Sequence, residues 1–280
     1  MANATLLLIL QAHLPFVRHP EHPRFLEEDW LFEALSETYL PLLRVFDRLQ
    51  RDAIPFRMAV SISPPLASML EDPLLQARYR EHLVRLIDLA EREVERTAGD
   101  PAFGRVAQMY LDLFRQNLDD FSEKYEGNIL RGFDYFWKKG LVELMTSAAT
   151  HPFLPHYQHY PEALRAQIEI AEQFHSKTFG KSSRGFWLPE CGYYPGVEDY
   201  LKESGFDYFV AASHGVLFSQ DRPQNGVYRP LACPNGLAVF GRDVYSANQV
   251  WSSEDGYPGD PAYRDFYRDI GFDLPLDYIG

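Results

Sequence analysis

Short apolar segments alternate with longer amphipathic segments along this chain. The apolar segments are nearly continuous in hydrophobicity, which is typical of strands covered on both faces, as in a parallel sheet. We therefore predict strands at TLLLIL (5–10), RMAVSI (57–62), VELMTS (142–147), GFWLPE (185–190), DYFVAAS (207–213) and LAVFGR (237–242). The first of them is predicted to be a buried strand.

The amphipathic segments predict helices, because apolar side chains recur in them at helical spacing. These segments are 31–49, 74–97, 106–125, 129–139, 161–179 and 197–204. Pro41 predicts a kink or break in the first one. Pro161 and Glu162 favour a helix start at the fifth, and Gly205 favours a helix end after the last.

The alternation of strands and helices indicates the α/β class. A helical insertion of about residues 73–139 follows the second strand, and it is unusual because most strand-to-helix connections are short. No internal repeat, low-complexity tract or linker interrupts the pattern.

The composition disfavours several classes of function. Lys and Arg number 27 against 40 Asp and Glu, so the net charge is −13, which disfavours nucleic acid and anionic membranes as partners. No apolar run reaches membrane-spanning length, and the N-terminal run lacks the basic flank of a signal peptide. With only two cysteines, the chain is expected in a reduced, cytoplasmic setting.

Polar side chains follow most of the predicted strands, where each strand ends. Because carboxyl ends of strands converge on one face of a (β/α) barrel, this pattern predicts a single pocket. The residues concerned are His13, Thr150, His151, Glu190, His214, Arg242 and Asp243.

Glu190 is the candidate catalytic carboxylate of this set. It follows an apolar run, so we expect its side chain to be held near apolar surface; a capping or surface acid is the alternative. Retaining glycoside hydrolysis needs two carboxyl groups, one of them a nucleophile, so Glu190 needs a partner.

The histidines and one tryptophan admit structural explanations as well. His13 could be a core histidine and His151 could cap a turn, but together with Glu190 they are candidates for binding sugar hydroxyls. His214 is a weaker candidate. Trp251 is expected in a loop, where it would stack on a glucose ring or cover the barrel.

A metal site is not expected. Deacetylases and mannosidases on related barrels bind zinc through His and Asp side chains. No Asp adjoins His13, no HxxxH spacing lies on a convincing helix, and no CxxC motif is present. A metal-dependent deacetylase or mannosidase stays a competing hypothesis that predicts stoichiometric zinc.

Several segments together resemble glycoside hydrolase family 57, especially its 1,4-α-glucan branching enzymes and amylase-like relatives. The resemblance runs in order along essentially the whole chain. The segments are QAHLPFVRHPE, FLEEDWLFEALSETYLPLL, ATHPFLP, GFWLPECGYYPG and QVWS…GYPGDPAYRDFYRDIGFD.

The resemblance implies a (β/α)7-type barrel of the glycoside hydrolase/deacetylase kind that acts on α-1,4-glucans by a retaining double displacement. It implies no metal or organic cofactor. It assigns the nucleophile to Glu190 and places His13 and His151 around the glucose that is cleaved. It adds three substrate contacts, which are Arg242, Trp251 and Gly259.

Three departures from the family pattern accompany this resemblance. Gln11 stands where the first motif usually has His, and Ala211-Ala212-Ser213-His214 replaces Val-Asp-x-His. The family's acid/base Asp belongs to a later motif, beyond the position matching Gly280. We therefore expect residues 1–280 to be an N-terminal catalytic region without the C-terminal helical part, and an incomplete barrel prone to self-association.

Gln11, His214 and Asp243 complete the candidate site as further polar groups. The expected activity is 1,4-α-glucan branching. A 4-α-glucanotransferase or α-amylase of the same family is the alternative enzyme, and a non-catalytic α-glucan-binding protein or truncated relic is the alternative of another class.

Overall fold

A computed structural model describes residues 5–263 and 270–280. These residues form two compact units. The first contains the described residues up to Pro152 together with Tyr160–Trp187, and the second contains Phe153–His159 and the described residues from Leu188 onward. Residues 264–269, part of the last family-like segment, lie outside the described residues, as do residues 1–4. Over the described ranges, no helix has both the length and the apolar composition needed to cross a membrane.

The first unit is built on four parallel strands in the order β1-β2-β3-β4. The predicted α/β class with parallel strands is confirmed, and β3 has the bounds that the pattern predicts. Glu190, the last residue of the fourth predicted strand, lies outside β4. The strands are Ile9–Ala12 (β1), Met58–Ile62 (β2), Val142–Ser147 (β3) and Gly185–Trp187 (β4).

The prediction of a buried first strand is wrong. β1 begins at Ile9, and only Ala12 within it is buried. The preceding apolar side chains are open to solvent, with Leu6 80% and Leu7 50% exposed. An apolar run is more stable when buried, but burial requires another element that packs on it. Among the described residues, no element covers these leucines.

The first helical stretch changes its geometry around Pro41. Helix α1 (Leu26–Ala34) leads into a π-helical segment (Leu35–Tyr39), and α2 (Leu40–Arg51) follows. Proline has no N–H group to donate to the preceding turn, and a widened turn accommodates this loss. The predicted irregularity at Pro41 is confirmed.

The predicted helical insertion lies between β2 and β3. Its large aromatic side chains Tyr79, Phe121 and Phe133 are buried in one cluster with Leu43 and Phe46 of α2. The pattern did not predict the first of its helices, which begins with two prolines. The helices are α3 (Pro64–Glu71), α4 (Pro73–Arg96), α5 (Phe103–Asp119, continued by a π-helical turn at Asp120–Lys124) and α6 (Leu130–Lys138).

A buried ion pair ties the insertion to the loop that follows β1. Arg78 of α4 donates to the two carboxylate oxygens of Glu28 at 2.5 and 2.7 Å, and the backbone N–H of His19 donates to the same carboxylate at 2.9 Å. Glu28 is buried. Removing one partner of such a pair typically costs about 3–5 kcal/mol, because the other charge stays buried. The pair therefore holds α1 against α4, and the bond from His19 holds the loop before α1 in the same place.

The second unit contains shorter elements. β5 (Tyr208–Ala211) is parallel to β7 (Ala238–Gly241), and β6 (Leu231–Ala232) is antiparallel to β7. The pattern predicted β5, β7 and α8, but periodicity is weak over segments as short as the others. The helices are α8 (Val197–Glu203), α9 (Ser213–Leu217), α10 (Val244–Trp251), α11 (Ile270–Asp273) and α12 (Leu276–Ile279).

Two helices of the first unit end in left-handed backbone. Helix α7 (Pro161–Phe179), which matches its prediction at both ends, is followed by Gly180 with φ 70°. Ala53, just after the end of α2, has φ 54° although it carries a Cβ atom. Left-handed backbone is unfavourable for an L-residue with a Cβ and free of that penalty for glycine.

We predict opposite stability changes at these two positions. Ala53→Gly should raise the free energy of unfolding by about 1 kcal/mol, because it removes the steric penalty. Gly180→Ala should lower it by about the same amount, and a Cβ there would meet no other atom, so the effect is conformational. Urea denaturation of both variants measures the changes, and a destabilised Ala53→Gly variant would contradict this prediction.

Candidate active site

The strand register gathers polar side chains on one face at the carboxyl ends of β1, β2 and β3. Positions 11, 61 and 145 are aligned across these strands. Because side chains alternate along a strand, positions 13, 63 and 147 follow on the same face two residues later. Those positions are His13, Ser63 and Ser147.

His13 and His151 are stacked, with ring centroids 3.6 Å apart and an angle of 17° between their planes. Each Nδ1 lies at hydrogen-bond distance from a serine Oγ, Ser63 for His13 at 2.8 Å and Ser147 for His151 at 2.9 Å. Gln11 Nε2 lies 3.3 Å from His151 Nε2. We call these five residues the histidine cluster.

Both imidazoles of the cluster favour the neutral form. Burial lowers the pKa of His13, and burial together with the neighbouring His13 lowers the pKa of His151 to about 3. Two imidazolium ions at stacking distance would also repel each other. At neutral pH the cluster therefore offers uncharged hydrogen-bonding groups, which suit the hydroxyl groups of an uncharged polar ligand.

The backbone that carries His151 is strained and firmly anchored. His151 has φ 55°, in the left-handed region. Gln167 of α7 holds the two preceding residues: its carbonyl and amide oxygens accept from the N–H groups of Ala149 and Thr150, and its Nε2 donates to Thr150 Oγ1, each at 2.9 Å. Strain of this kind persists only where the surroundings impose it, and it is concentrated at functional sites.

Glu190 lies in a tight turn after β4, and its side chain is exposed. Glu190 and Cys191 both have φ 52°, so two consecutive residues adopt left-handed backbone. Leu188, Pro189 and Cys191 are buried around it. Glu190 is therefore an exposed residue between buried apolar neighbours.

Cys191 fixes this turn. Its carbonyl accepts a hydrogen bond from Ala212 N at 3.1 Å, and its buried thiol, whose pKa burial raises, lies 3.7 Å from Arg242 Nη1. A Cβ on the next residue, Gly192, would lie 2.3 Å from the Phe153 ring. The turn therefore packs closely on both sides of Glu190.

Arg242 links the turn to Trp251. Its backbone N–H donates to Ala211 O at 3.1 Å, and its guanidinium carbon lies 5.9 Å from the centre of the Trp251 ring, within cation–π range. Trp251 is the last residue of α10 and is 67% exposed. The expectation of Trp251 in a loop is wrong, since the capped helix α10 extends to it, but its ring is open to a ligand.

Two of the three remaining candidates, Asp243 and Gly259, have structural surroundings. Asp243 caps α10 by accepting from Ser246 N at 3.1 Å and Ser246 Oγ at 2.5 Å, which lowers the pKa of its carboxyl group. His214 is an exposed residue of α9. Gly259 lies so close to the backbone that a Cβ would be 2.0 Å from Ser253 O, so packing alone requires glycine there.

The candidate residues fall into two groups. Gln11, His13 and His151 belong to the first unit. The second unit contains Glu190, His214, Arg242, Asp243, Trp251 and Gly259. In the described part of the chain, no three His, Cys, Asp or Glu side chains are grouped so that they could hold a metal ion.

Sequence reasoning missed Ser63, Ser147 and Gln167. Ser63 follows β2 and Ser147 ends β3, so extending the search for polar strand ends to uncharged side chains would have found both. Gln167 gives no local signal, because its role depends on the packing of α7 beside the loop at 149–150.

The family model for glycosyl hydrolase family 57 matches residues 7–269. The chain belongs to this family. Family membership accounts for the order of the resembling segments along the chain. The match extends from the strand before His13 to the segment after Gly259, so it spans every candidate residue named above.

Solved structures support the same fold. The α-amylase AmyC from Thermotoga maritima is 47% identical, with a TM-score of 0.93 over 99% of this chain and 53% of that one. A branching enzyme from Pyrococcus horikoshii is 33% identical, with a TM-score of 0.84 over 95% of this chain and 51% of that one.

Curated relatives are also branching enzymes. The 1,4-alpha-glucan branching enzyme TK1436 of Thermococcus kodakarensis is 32% identical over 94% of this chain and 42% of that protein. A probable 1,4-alpha-glucan branching enzyme of Mycobacterium tuberculosis is 28% identical over 93% of this chain and 50% of that protein. The chain thus spans about half the length of the curated relatives it matches.

We predict that His151 makes the folded state sensitive to acid. Its folded-state pKa of about 3 lies below the ordinary 6.5, so the unfolded state binds more protons between these values. The stability contributed by neutral His151 is complete above about pH 6.5 and is lost as the pH falls toward 3. In His151→Gln, urea midpoints should therefore fall less steeply below neutral pH than in the wild type.

The exposed His159 supplies the control for this measurement. His159→Gln should keep the wild-type slope of midpoint against pH. His82 and His175, whose pKa values burial lowers to about 4, contribute equally to all three proteins. An unchanged slope in His151→Gln would contradict the prediction.

Proposed function

We propose that this chain serves in glycosyl transfer on α-1,4-glucans by a retaining double displacement, and specifically in 1,4-α-glucan branching. Membership of glycosyl hydrolase family 57 and the likeness to three branching enzymes support the proposal. The observation that carries the proposal is that Glu190 is exposed, in a turn with left-handed backbone whose neighbouring residues are buried.

In this mechanism Glu190 is the nucleophile. Its carboxylate attacks the anomeric carbon, the bond from that carbon to the glycosidic oxygen breaks, and the departing oxygen takes a proton from an acid. The family resemblance assigns that acid to an Asp in a motif that residues 1–280 do not contain. An acceptor hydroxyl, the 6-hydroxyl of a glucan in branching, then displaces Glu190 from the covalent intermediate.

Uncharged and aromatic groups fit the binding roles. The neutral histidine cluster can exchange hydrogen bonds with sugar hydroxyls without competing for the catalytic proton. Trp251, exposed and backed by Arg242, offers a ring face for stacking on a sugar. These roles agree with those that the resemblance gives to His13, His151 and Trp251.

An α-amylase is the second candidate, favoured by the 47% identity to AmyC. Hydrolysis and branching share the glycosyl-enzyme intermediate and differ in whether water or a hydroxyl accepts the sugar. Amylose treated with the native gene product separates them. Loss of iodine colour with new α-1,6 linkages supports branching, whereas new reducing ends without branches support hydrolysis.

We predict that Glu190→Ala in the native gene product lowers turnover of amylose at least about a thousand-fold, since it removes the attacking group. Added azide should restore partial turnover by occupying the space of the lost carboxylate. Direct attack by azide inverts the anomeric carbon, so the product should be a β-glycosyl azide. Product NMR determines its configuration.

Glu95→Ala provides a matched control, because Glu95 is an exposed residue of α4. This variant should turn over amylose at the wild-type rate and form no glycosyl azide. An α-glycosyl azide from Glu190→Ala would identify Glu190 as the acid/base instead. Near-normal activity of Glu190→Ala would remove Glu190 from the mechanism. Retention of the wild type on a glucan gel without any turnover would favour a non-catalytic binding protein.

A further inference from the structure

The single hydroxyl proton of Ser147 determines the directions of the hydrogen bonds around His151. Ser147 Oγ lies 2.8 Å from the carbonyl oxygen of Trp187, which can only accept, so the serine hydroxyl donates there. Its contact of 2.9 Å with His151 Nδ1 must then be a bond donated by the imidazole. Neutral His151 therefore carries its proton on Nδ1 and a lone pair on Nε2.

Gln11 agrees with this assignment from the opposite side of the ring. Its amide nitrogen, a donor only, lies 3.3 Å from His151 Nε2, which therefore has to accept. The bonds run in one direction, from Gln11 through His151 and Ser147 to the Trp187 carbonyl. With its nitrogen directed to His151, the exposed Gln11 amide keeps its carbonyl oxygen as an acceptor.

The hydrogen bonds around His13 have the opposite direction. Ser63 Oγ accepts from Leu66 N at 3.4 Å at the start of α3, and it is buried. Within the described part of the chain, its own proton has His13 Nδ1, at 2.8 Å, as the acceptor in reach. Ser63 thus donates to Nδ1, and neutral His13 carries its proton on Nε2.

We propose that Ser147 and Ser63 are positioning residues that fix the two stacked imidazoles as opposite neutral tautomers. His13 then offers an N–H donor at Nε2, while the Gln11 amide held by His151 offers a carbonyl acceptor. A sugar hydroxyl both donates and accepts, so this arrangement matches it. The use of the pair in sugar binding rests on the proposed function, whereas the tautomers themselves do not.

Ser61 provides the comparison that isolates the effect. It lies on the same strand face as Ser63 and is equally buried, but its Oγ has no hydrogen-bond partner in the described part of the chain. Ser61→Ala and Ser147→Ala therefore both remove a buried hydroxyl group from a strand. Only Ser147→Ala removes a hydrogen bond to an imidazole.

The test is long-range proton–nitrogen NMR of the native gene product labelled with ¹⁵N-histidine, with His13→Gln and His151→Gln used to assign the signals. At neutral pH, His151 should show the Nδ1–H tautomer and His13 the Nε2–H tautomer. Ser147→Ala should convert His151 to a mixture of tautomers, and Ser61→Ala should leave both rings unchanged. An Nε2–H tautomer at His151 in the wild type overturns the proposal, whether or not Ser147→Ala folds.

Activity decides whether the reaction uses the arrangement. Ser147→Ala should lower kcat/KM on amylose about ten-fold relative to Ser61→Ala, as expected for one hydrogen bond lost to substrate. Ser147→Thr, which restores the hydroxyl, should recover both the tautomer and the rate. A changed tautomer with undiminished kcat/KM overturns the role in sugar binding. A wild type with the predicted tautomers and no action on glucans overturns the proposed function and leaves the tautomer assignment standing.

Discussion

The parallel register of β1, β2 and β3 is the constraint on which the histidine cluster depends. It aligns positions 11, 61 and 145, and strand alternation then brings His13, Ser63 and Ser147 to one face. A slip of one residue in either pairing would send one strand's polar side chains to the opposite face. The backbone ladder therefore sets the positions of the two serines, and a serine can fix a tautomer only from a defined position.

Local backbone strain accompanies both groups of candidate residues. His151, Glu190 and Cys191 all have left-handed backbone at φ between 52° and 55°, which costs on the order of 1–3 kcal/mol for each residue. Anchoring contacts offset this cost: Gln167 holds the loop before His151, and burial together with the Ala212 hydrogen bond holds Cys191. Glu190 combines this backbone with an exposed side chain, although its neighbours are buried.

Gln11 marks a difference between this chain and the family pattern that it otherwise resembles. The side-chain amide of Gln11 does not titrate. The histidine cluster therefore contains two neutral imidazoles and one amide, where a histidine at position 11 would add a third imidazole. The directed bond from Gln11 to His151 shows how an amide fits such a cluster. The chain spans about half the length of its curated relatives, so the proposed mechanism concerns a part of such a protein.

The sequence by itself determined the α/β class, the bounds of β3 and α7, the irregularity at Pro41 and the family, because periodicity, proline and ordered motifs are local properties. It also drew attention to polar residues at strand ends. Only the tertiary structure decided that Leu6 is exposed, that Glu190 faces solvent, that Asp243 caps a helix and that two serines hold the histidines. These outcomes depend on strand register, backbone dihedral angles and the presence of covering elements, and a pattern of apolar and polar residues along the chain encodes none of these directly.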